Sequence, residues 1–532
     1  MKQFFKISFI GTALILLVSG CKKFVDVNTN PNNAVTTKAQ FVFTGALGNS
    51  YRIQTSAALM VVPGSWVGFY GHSTSFTGGG AEKTYDFTTA DFNAFDGIYD
   101  NIGDYQYVIT NADRDGVAFL KDPANVMQCY MFQQLVDMYG NVPYTDALKG
   151  VTNITPTYTD QKVIYEDLVV RLDSAMARIA RATWPTDASL TAQDVYFQGA
   201  KDSWIRFANT IKLRILMRQS FMPGRDTYIT TNINNTIARG YIQQNVLVSP
   251  GYQNIAGKLN PFYANYGYNE LNNVTSNHQY RKMGAPIINW LKNSVTTNAR
   301  PASAGTVAAT ADADTFRLQG LAWPIGTTPS APSNTLSNYV GIPLGAGSGF
   351  ATASSSPIGP FQVQVGQGTR PGMLMLLAEA YFLQAEAAQR YGVALGTAQS
   401  LYESGILAHF RTVAAPSTAG NASNTGDAYA IRYYSKPIQN VGWAASTDKI
   451  RAILIQKWVS LEHINGLEAW SEYRKSSGST SVGVPILPAT VASTSNPEPV
   501  RYLYPQTEYD ANTNNVPASI NRFTSKIFWD VN

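Results

Sequence analysis

Cysteine and histidine are scarce in this chain of 532 residues, with two of the first and four of the second. Two thiols cannot knit a disulfide framework, and His72, His278, His409 and His463 are too scattered to form a zinc signature. Glu462-His463 has Val459 where an HxxEH site needs its first histidine. No GxSxG elbow or GxxxxGK[ST] phosphate loop occurs, and Gly345 to Gly349 has neither dinucleotide spacing nor a helix behind it. Neither a cofactor nor a metal is expected, and the chain reads as a non-enzyme. Charge is thin too, at 14% of residues with a net +5, or +3 once Lys2 and Lys6 are removed with a leader. That balance is weak for a nucleic-acid binder. Long apolar runs are also missing, since Ile7 to Val18 is too short for the ~20 residues of a membrane-spanning helix.

That short run follows Lys2 and Lys6 and ends in Val18-Ser19-Gly20-Cys21. It therefore reads as a lipoprotein signal peptide over residues 1–20, with small residues for the peptidase and the Cys21 thiol as the lipid acceptor. Two or three acyl chains on Cys21 would anchor the protein to a membrane. The rival reading pairs Cys21 with Cys129 in a disulfide. Cys129 sits among Met127, Tyr130 and Phe132, where a small core residue is expected. Residues 21–37 carry Asp26 to Asn33, whose Asn and Pro favour an extended tether.

From residue 38 to 532 a single, mainly α domain is expected. Phe92, Phe95, Ile98, Ile102, Tyr105 and Ile109 recur at helical spacing behind Asp91 as N-cap. Ile164, Leu168, Leu172, Ala175 and Ile179 make a second stripe, and Trp204, Phe207, Ile211 and Ile215 a third. Residues 249–372 are rich in Gly, Pro, Ser, Thr and Asn and predict a loop-rich insertion with short strands. Helices return at Met373 to Tyr391, Ala398 to Phe410 and Ile450 to His463. The first two carry small residues as a tetratricopeptide hairpin does, though an ordinary helical hairpin has similar spacing. Asp96, Asp100 and Asp104 share a helix face, predicted solvated, although such carboxylates also gather a cation such as calcium or serve glycoside hydrolysis. Arg206, Lys212, Arg214 and Arg218 likewise predict a wet or partner-facing surface.

Several segments together resemble the SusD/RagB lipoproteins of the Bacteroidetes, in particular the SusD-like 2 subgroup. They are the Asn-Pro opening at Asp26 to Asn33, Tyr139-Gly140-Asn141-Val142-Pro143-Tyr144-Thr145-Asp146-Ala147, and Trp204 to Arg218. Glu379 to Ala387, Gln456 to Leu461, Gly466 to Arg474 and Arg501-Tyr502-Leu503-Tyr504-Pro505 follow in order. Asn141 departs from the acidic residue usual there, and Asn298-Ala299-Arg300-Pro301 departs from a DPRL-like segment. The resemblance implies a scaffold of tetratricopeptide-like helical hairpins with a loop-rich face. It also implies a nutrient-binding lipoprotein at the outer membrane, exposed on the cell surface. Such a protein captures an oligosaccharide, or a peptide in RagB-like members, for a SusC-like TonB-dependent transporter. A secreted glycoside hydrolase is the alternative from another class.

Thirty Tyr and nine Trp supply rings that stack on sugars or peptides while hydrogen-bonding at their edges. Two loop clusters are the expected ligand residues: Trp66, Phe69, Tyr70 and His72 beside Gly64 and Gly71, and Phe262, Tyr263, Tyr266 and Tyr268 after Pro261. Trp323 is a third wall. Nearby Gly and Pro argue against burial in regular helix, so these rings are expected to face solvent, with pinning of loops as the rival role.

Overall fold

The computed structural model describes residues 37–292, 314–326, 331–414, 426–476 and 496–531. The predicted leader and Cys21, with residues 22–36 of the tether, lie outside that range, as does Asn298 to Pro301. Helix α1 (Ala39–Gln54) packs on α2 (Phe95–Asn111), α2 on α3 (Lys121–Tyr139), α3 on α4 (Gln161–Arg181) and α4 on α5 (Lys201–Met217). The remaining long helices are α8 (Leu377–Tyr391), α9 (Ala398–Val413), α10 (Lys449–Leu461) and α11 (Gly466–Ser476). Helix α8 packs against α9, α10 and α5, which joins the two halves of the scaffold. Ala39–Asn532 forms one compact unit.

Local chemistry explains the boundaries. The Asp160 carboxylate accepts from the N–H groups of Lys162 and Val163 to cap α4, and the predicted stripe from Ile164 to Ile179 is buried. Helix α8 stops at Gly392, whose φ of 61° is left-handed. Helices α8 and α9 approach so closely that a Cβ on Gly405 would stand 2.6 Å from the Phe382 ring. One predicted start moves: α2 begins at Phe95, because Phe92 takes a φ of 55° that breaks the helix. Asp91 instead accepts from the Thr88 N–H at 2.8 Å. Cys129 is buried in α3, where burial pushes its thiol up to about 11, so it is inert.

The cationic helix α5 overturns its expectation. Arg206 is half-exposed, but Lys212, Arg214 and Arg218 are buried. Lys212 meets Asp173 at 2.6 Å, Arg214 meets Glu379 at 2.7 Å, and Arg218 meets Glu472 at 2.6 Å and also Glu468. Lys457 on α10 lies 2.9 Å from Glu468, and Lys475 on α11 lies 2.8 Å from Glu472 and 3.1 Å from Glu386. Apart from Lys212 and Asp173, which tie α5 to α4, these groups come from α8, α10, α11 and the C-terminal part of α5, and they interlock where those four helices meet.

The loop-rich block holds short helices as well as strands, including α6 (Pro261–Tyr266) and α7 (Ser276–Tyr280). Strand β5 (Arg281–Met283) follows α7 and pairs antiparallel with β1 (Tyr70–His72), placing His72 opposite Arg281, Gly71 opposite Lys282 and Tyr70 opposite Met283. Two further two-stranded ladders join β2 (Val142–Pro143) to β3 (Tyr158–Thr159) and β4 (Val246–Val248) to β6 (Gly372–Met375).

Candidate ligand-binding face

The β1–β5 ladder organises the loop-rich face. Glu82, in the short helix Gly80–Thr84, takes both arms of the Arg281 guanidinium at 2.7 and 2.8 Å. Burial raises the Glu82 pKa, but Arg281 outweighs it and holds the carboxyl well below the usual range. His72 lies 3.2 Å from Glu82, but burial lowers its own pKa, so the ring is neutral and its Nε2 accepts from the Arg281 guanidinium at 2.5 Å.

On this charged base rests an aromatic platform. The Tyr280 ring lies 4.9 Å from the His72 ring and 5.8 Å from Phe76, and both Tyr280 and Phe76 are half-buried. The Arg281 guanidinium sits 5.0 Å from the Tyr280 centroid and the Lys83 ammonium 5.8 Å. The loop between them is tied down, with Ser73 N–H donating to the Tyr280 carbonyl and Thr74 N–H to the Phe350 carbonyl, both at 2.8 Å. Gly79 is required there: its φ is 65°, and a Cβ would stand 2.3 Å from the Tyr280 hydroxyl. A half-exposed ring can stack on an apolar sugar or side-chain face, and the half-exposed Lys83 can donate a hydrogen bond beside it.

The expected ligand residues stand beneath this surface. Trp66, Phe69, Tyr70, His72, Phe262, Tyr263, Tyr266, Tyr268 and Trp323 are each at most 5% exposed, so the expectation that they face solvent fails. Trp66 is ringed by Trp470 at 4.9 Å, Phe87 at 5.7 Å and Tyr502 at 5.7 Å, and donates its indole N–H to the Glu82 carbonyl. Phe69 stacks on Trp458 at 5.6 Å. The Tyr263 hydroxyl accepts from Gly366 N–H at 3.0 Å, and Trp323 donates to the Val363 carbonyl at 3.4 Å. The two predicted clusters do converge, because His463 lies 5.5 Å from Tyr70 and 6.0 Å from Phe262. They converge in the interior. Proline does not keep these rings out of helix: Trp66 ends the short helix Val62–Trp66, and Phe262, Tyr263 and Tyr266 lie in α6, with Pro63 and Pro261 in the first turns, where a proline is tolerated.

Sequence reasoning missed Phe76, Lys83 and Tyr280. The signal available was Phe76 just before Gly78-Gly79-Gly80, a run that leaves a ring with little chain to bury it. Other hollows among the described residues include a cavity of about 320 Å³ beside Tyr381 between α8 and α9 and a cleft of about 590 Å³ along α1 near Tyr252. Asp96 and Asp104 are half-exposed and Asp100 is exposed. Asp96 accepts from Thr507 at 3.1 Å, and no acidic or histidine cluster among the described residues could hold a metal ion.

Residues 31–505 match the SusD-like 2 family, described as starch-binding and associating with the outer membrane, and the chain belongs to that family. No curated protein sequence matches it. Among solved structures it is similar to a chitin-binding SusD homologue from Flavobacterium johnsoniae, at 20% identity and a TM-score of 0.67 over 93% of this chain and 99% of that one. A SusD homologue from Bacteroides fragilis has 20% identity and a TM-score of 0.69 over the same shares. A SusD/RagB family protein from Bacteroides thetaiotaomicron has 18% identity and a TM-score of 0.70, again over 93% and 99%. Likeness at this identity establishes the fold.

Proposed function

We propose that the protein is a surface lipoprotein, anchored through Cys21 after loss of residues 1–20 and held on a tether ending near residue 37. It captures a glycan on the Phe76–Tyr280 platform and delivers it to a SusC-like TonB-dependent transporter. The observation that carries this reading is the half-exposed Phe76–Tyr280 ring pair, with the half-exposed Lys83 beside it, on the face whose other candidate rings are buried. Family membership supports it, since the family is described as starch-binding, and a relative of the same fold is named for chitin binding.

Calorimetric titration with maltoheptaose, chitohexaose and an eight-residue peptide tests the ligand class. Saturable glycan binding without product is expected. Binding of the peptide alone would favour a RagB-like receptor, and turnover of either glycan would make the protein a hydrolase. Cys21→Ser is expected to leave the fold intact and release the protein from membranes of cells lacking the transporter. Retention in the membrane fraction would contradict the anchor.

A further inference from the structure

The cavity of about 320 Å³ beside Tyr381 shares no residue with the platform or with the buried rings beneath it. Its walls follow from the fold. Strand β6 runs straight into α8, so Leu377 and Tyr381, four residues apart, share one face of that helix's opening turns. On α9 the same spacing sets Ser404 above Ala408 and Leu407 above Arg411. The third wall is the segment Gln243 to Leu247 that enters β4. It is fastened to both helices, because the Asn245 amide donates to the Thr412 hydroxyl at 3.1 Å and its oxygen accepts from the Leu377 N–H at 2.9 Å. The hollow is therefore bounded by bonded elements, as a preformed site is.

Its lining is chemically divided. Leu247, Leu377, Leu407 and Ala408 supply apolar surface. Tyr381, Ser404 and Gln244 supply two hydroxyls and an amide, and none of the three makes a side-chain hydrogen bond among the described residues. Tyr381 and Ser404 are half-buried and Gln244 is exposed, so each can be reached from outside. Arg411 is the one charged residue of the lining, and Asp427 already closes it with two bonds of 2.6 and 2.7 Å. Gln243 and Gln244 also line a second hollow of about 200 Å³, which reaches Arg206 where that side chain donates to the Gln243 amide oxygen. An occupant longer than one unit has room to run on.

We propose that this pocket is a second glycan site, built on the helical scaffold and independent of the Phe76–Tyr280 platform, which takes the end of a neutral oligosaccharide. The volume lies at the lower end of the ~300–1,000 Å³ of small-molecule sites, which combine apolar walls with a few free polar groups. The free groups here are uncharged and both donate and accept, which matches sugar hydroxyls. The leucines and the Tyr381 ring match the apolar face of a pyranose. A charged ligand would find its counter-ion, Arg411, already committed to Asp427.

Protection of a thiol placed in the pocket tests the site directly. In the full chain carrying Cys21→Ser, Cys129 is buried and inert, so the thiol introduced by Ser404→Cys is the one that reacts with a maleimide. Saturating maltoheptaose or chitohexaose is expected to slow that reaction at least fivefold, and D-glucuronate at the same concentration to leave it unchanged. Tyr381→Ala should raise the glycan concentration for half protection at least threefold. Tyr280→Ala should not move it, so failure of the platform and failure of this pocket read out separately. The proposal is overturned if neither neutral glycan slows the reaction, if glucuronate protects as well as they do, or if Tyr280→Ala abolishes the protection.

Discussion

Where the helices α5, α8, α10 and α11 meet, cations and carboxylates interlock at 2.6 to 3.2 Å, whereas across the β1–β5 ribbon one side pairs Arg281 with Glu82 and the other leaves Lys282 alone. Both regions are interior, so the difference is not one of exposure. A scaffold needs its buried charges closed, because an unpaired ion there only destabilises. Lys282 has no carboxylate partner among the described residues and is held without one. Opposite signs of response to mutation and pH follow.

The largest effect is expected in the scaffold. Arg218→Met strands Glu468, Glu472 and Asp137 without their guanidinium and should lower unfolding free energy by about 3–5 kcal/mol in urea titration. The same network sets acid sensitivity. The Lys475 and Arg390 charges hold Glu386 at about 2 against burial, below its ordinary 4.5. Its stabilising contribution is therefore complete above about 4.5 and is lost as pH falls toward 2. Glu468, held low by Arg218 and Lys457, acts in the same direction. Thermal melts between pH 6 and 3 should show the decline, and Arg218→Met should flatten it.

The Lys282 side of the ribbon should respond in reverse. Burial lowers the Lys282 pKa from 10.5 to about 8, so below pH 8 the folded protein holds an uncompensated charge that the unfolded chain carries freely in water. Stability should rise from pH 8 toward 10.5 as the folded state alone loses its proton. Lys282→Met should stabilise at pH 7, by about 3 kcal/mol at most, and the gain should vanish near pH 10.5. Equal melting of wild type and mutant at pH 7 would show that the ammonium is compensated.

Much of this scaffold was legible in the sequence. The stripe from Ile164 to Ile179 and the small residues of Ala378 to Ala387 repeat at helical spacing, and local periodicity is enough to place such helices. The role of Arg214 and Arg218 was not legible. Basic residues four apart look alike whether they face water or carboxylates, and Glu379 and Glu468 lie 165 and 250 residues away. The binding face failed in a similar way. Trp66 and Tyr266 lie in short helices whose first turns hold Pro63 and Pro261, so proline read as a loop marker in fact opens a helix, and which segment covers these rings is decided by tertiary packing. Phe76 and Tyr280 meet only because β1 pairs with β5 across some 200 residues.

A smaller effect should come from Gly79→Ala. The added methyl needs a left-handed backbone and collides with the Tyr280 hydroxyl, so the ring must move. The stability loss should be about 1 kcal/mol, with glycan affinity falling more than that loss explains. Unchanged affinity would separate the platform from the ligand.

The division of the rings into an open platform and buried pins is tested most directly by the glycan affinity of two variants, measured by calorimetry on protein shown to be folded. Tyr280→Ala should weaken binding roughly three- to tenfold, the equivalent of ~0.5–1.5 kcal/mol for a lost aromatic contact, with little change in melting. Trp66→Leu should lower the melting temperature and leave affinity unchanged. The reverse pattern, with affinity lost in Trp66→Leu and retained in Tyr280→Ala, would contradict the account.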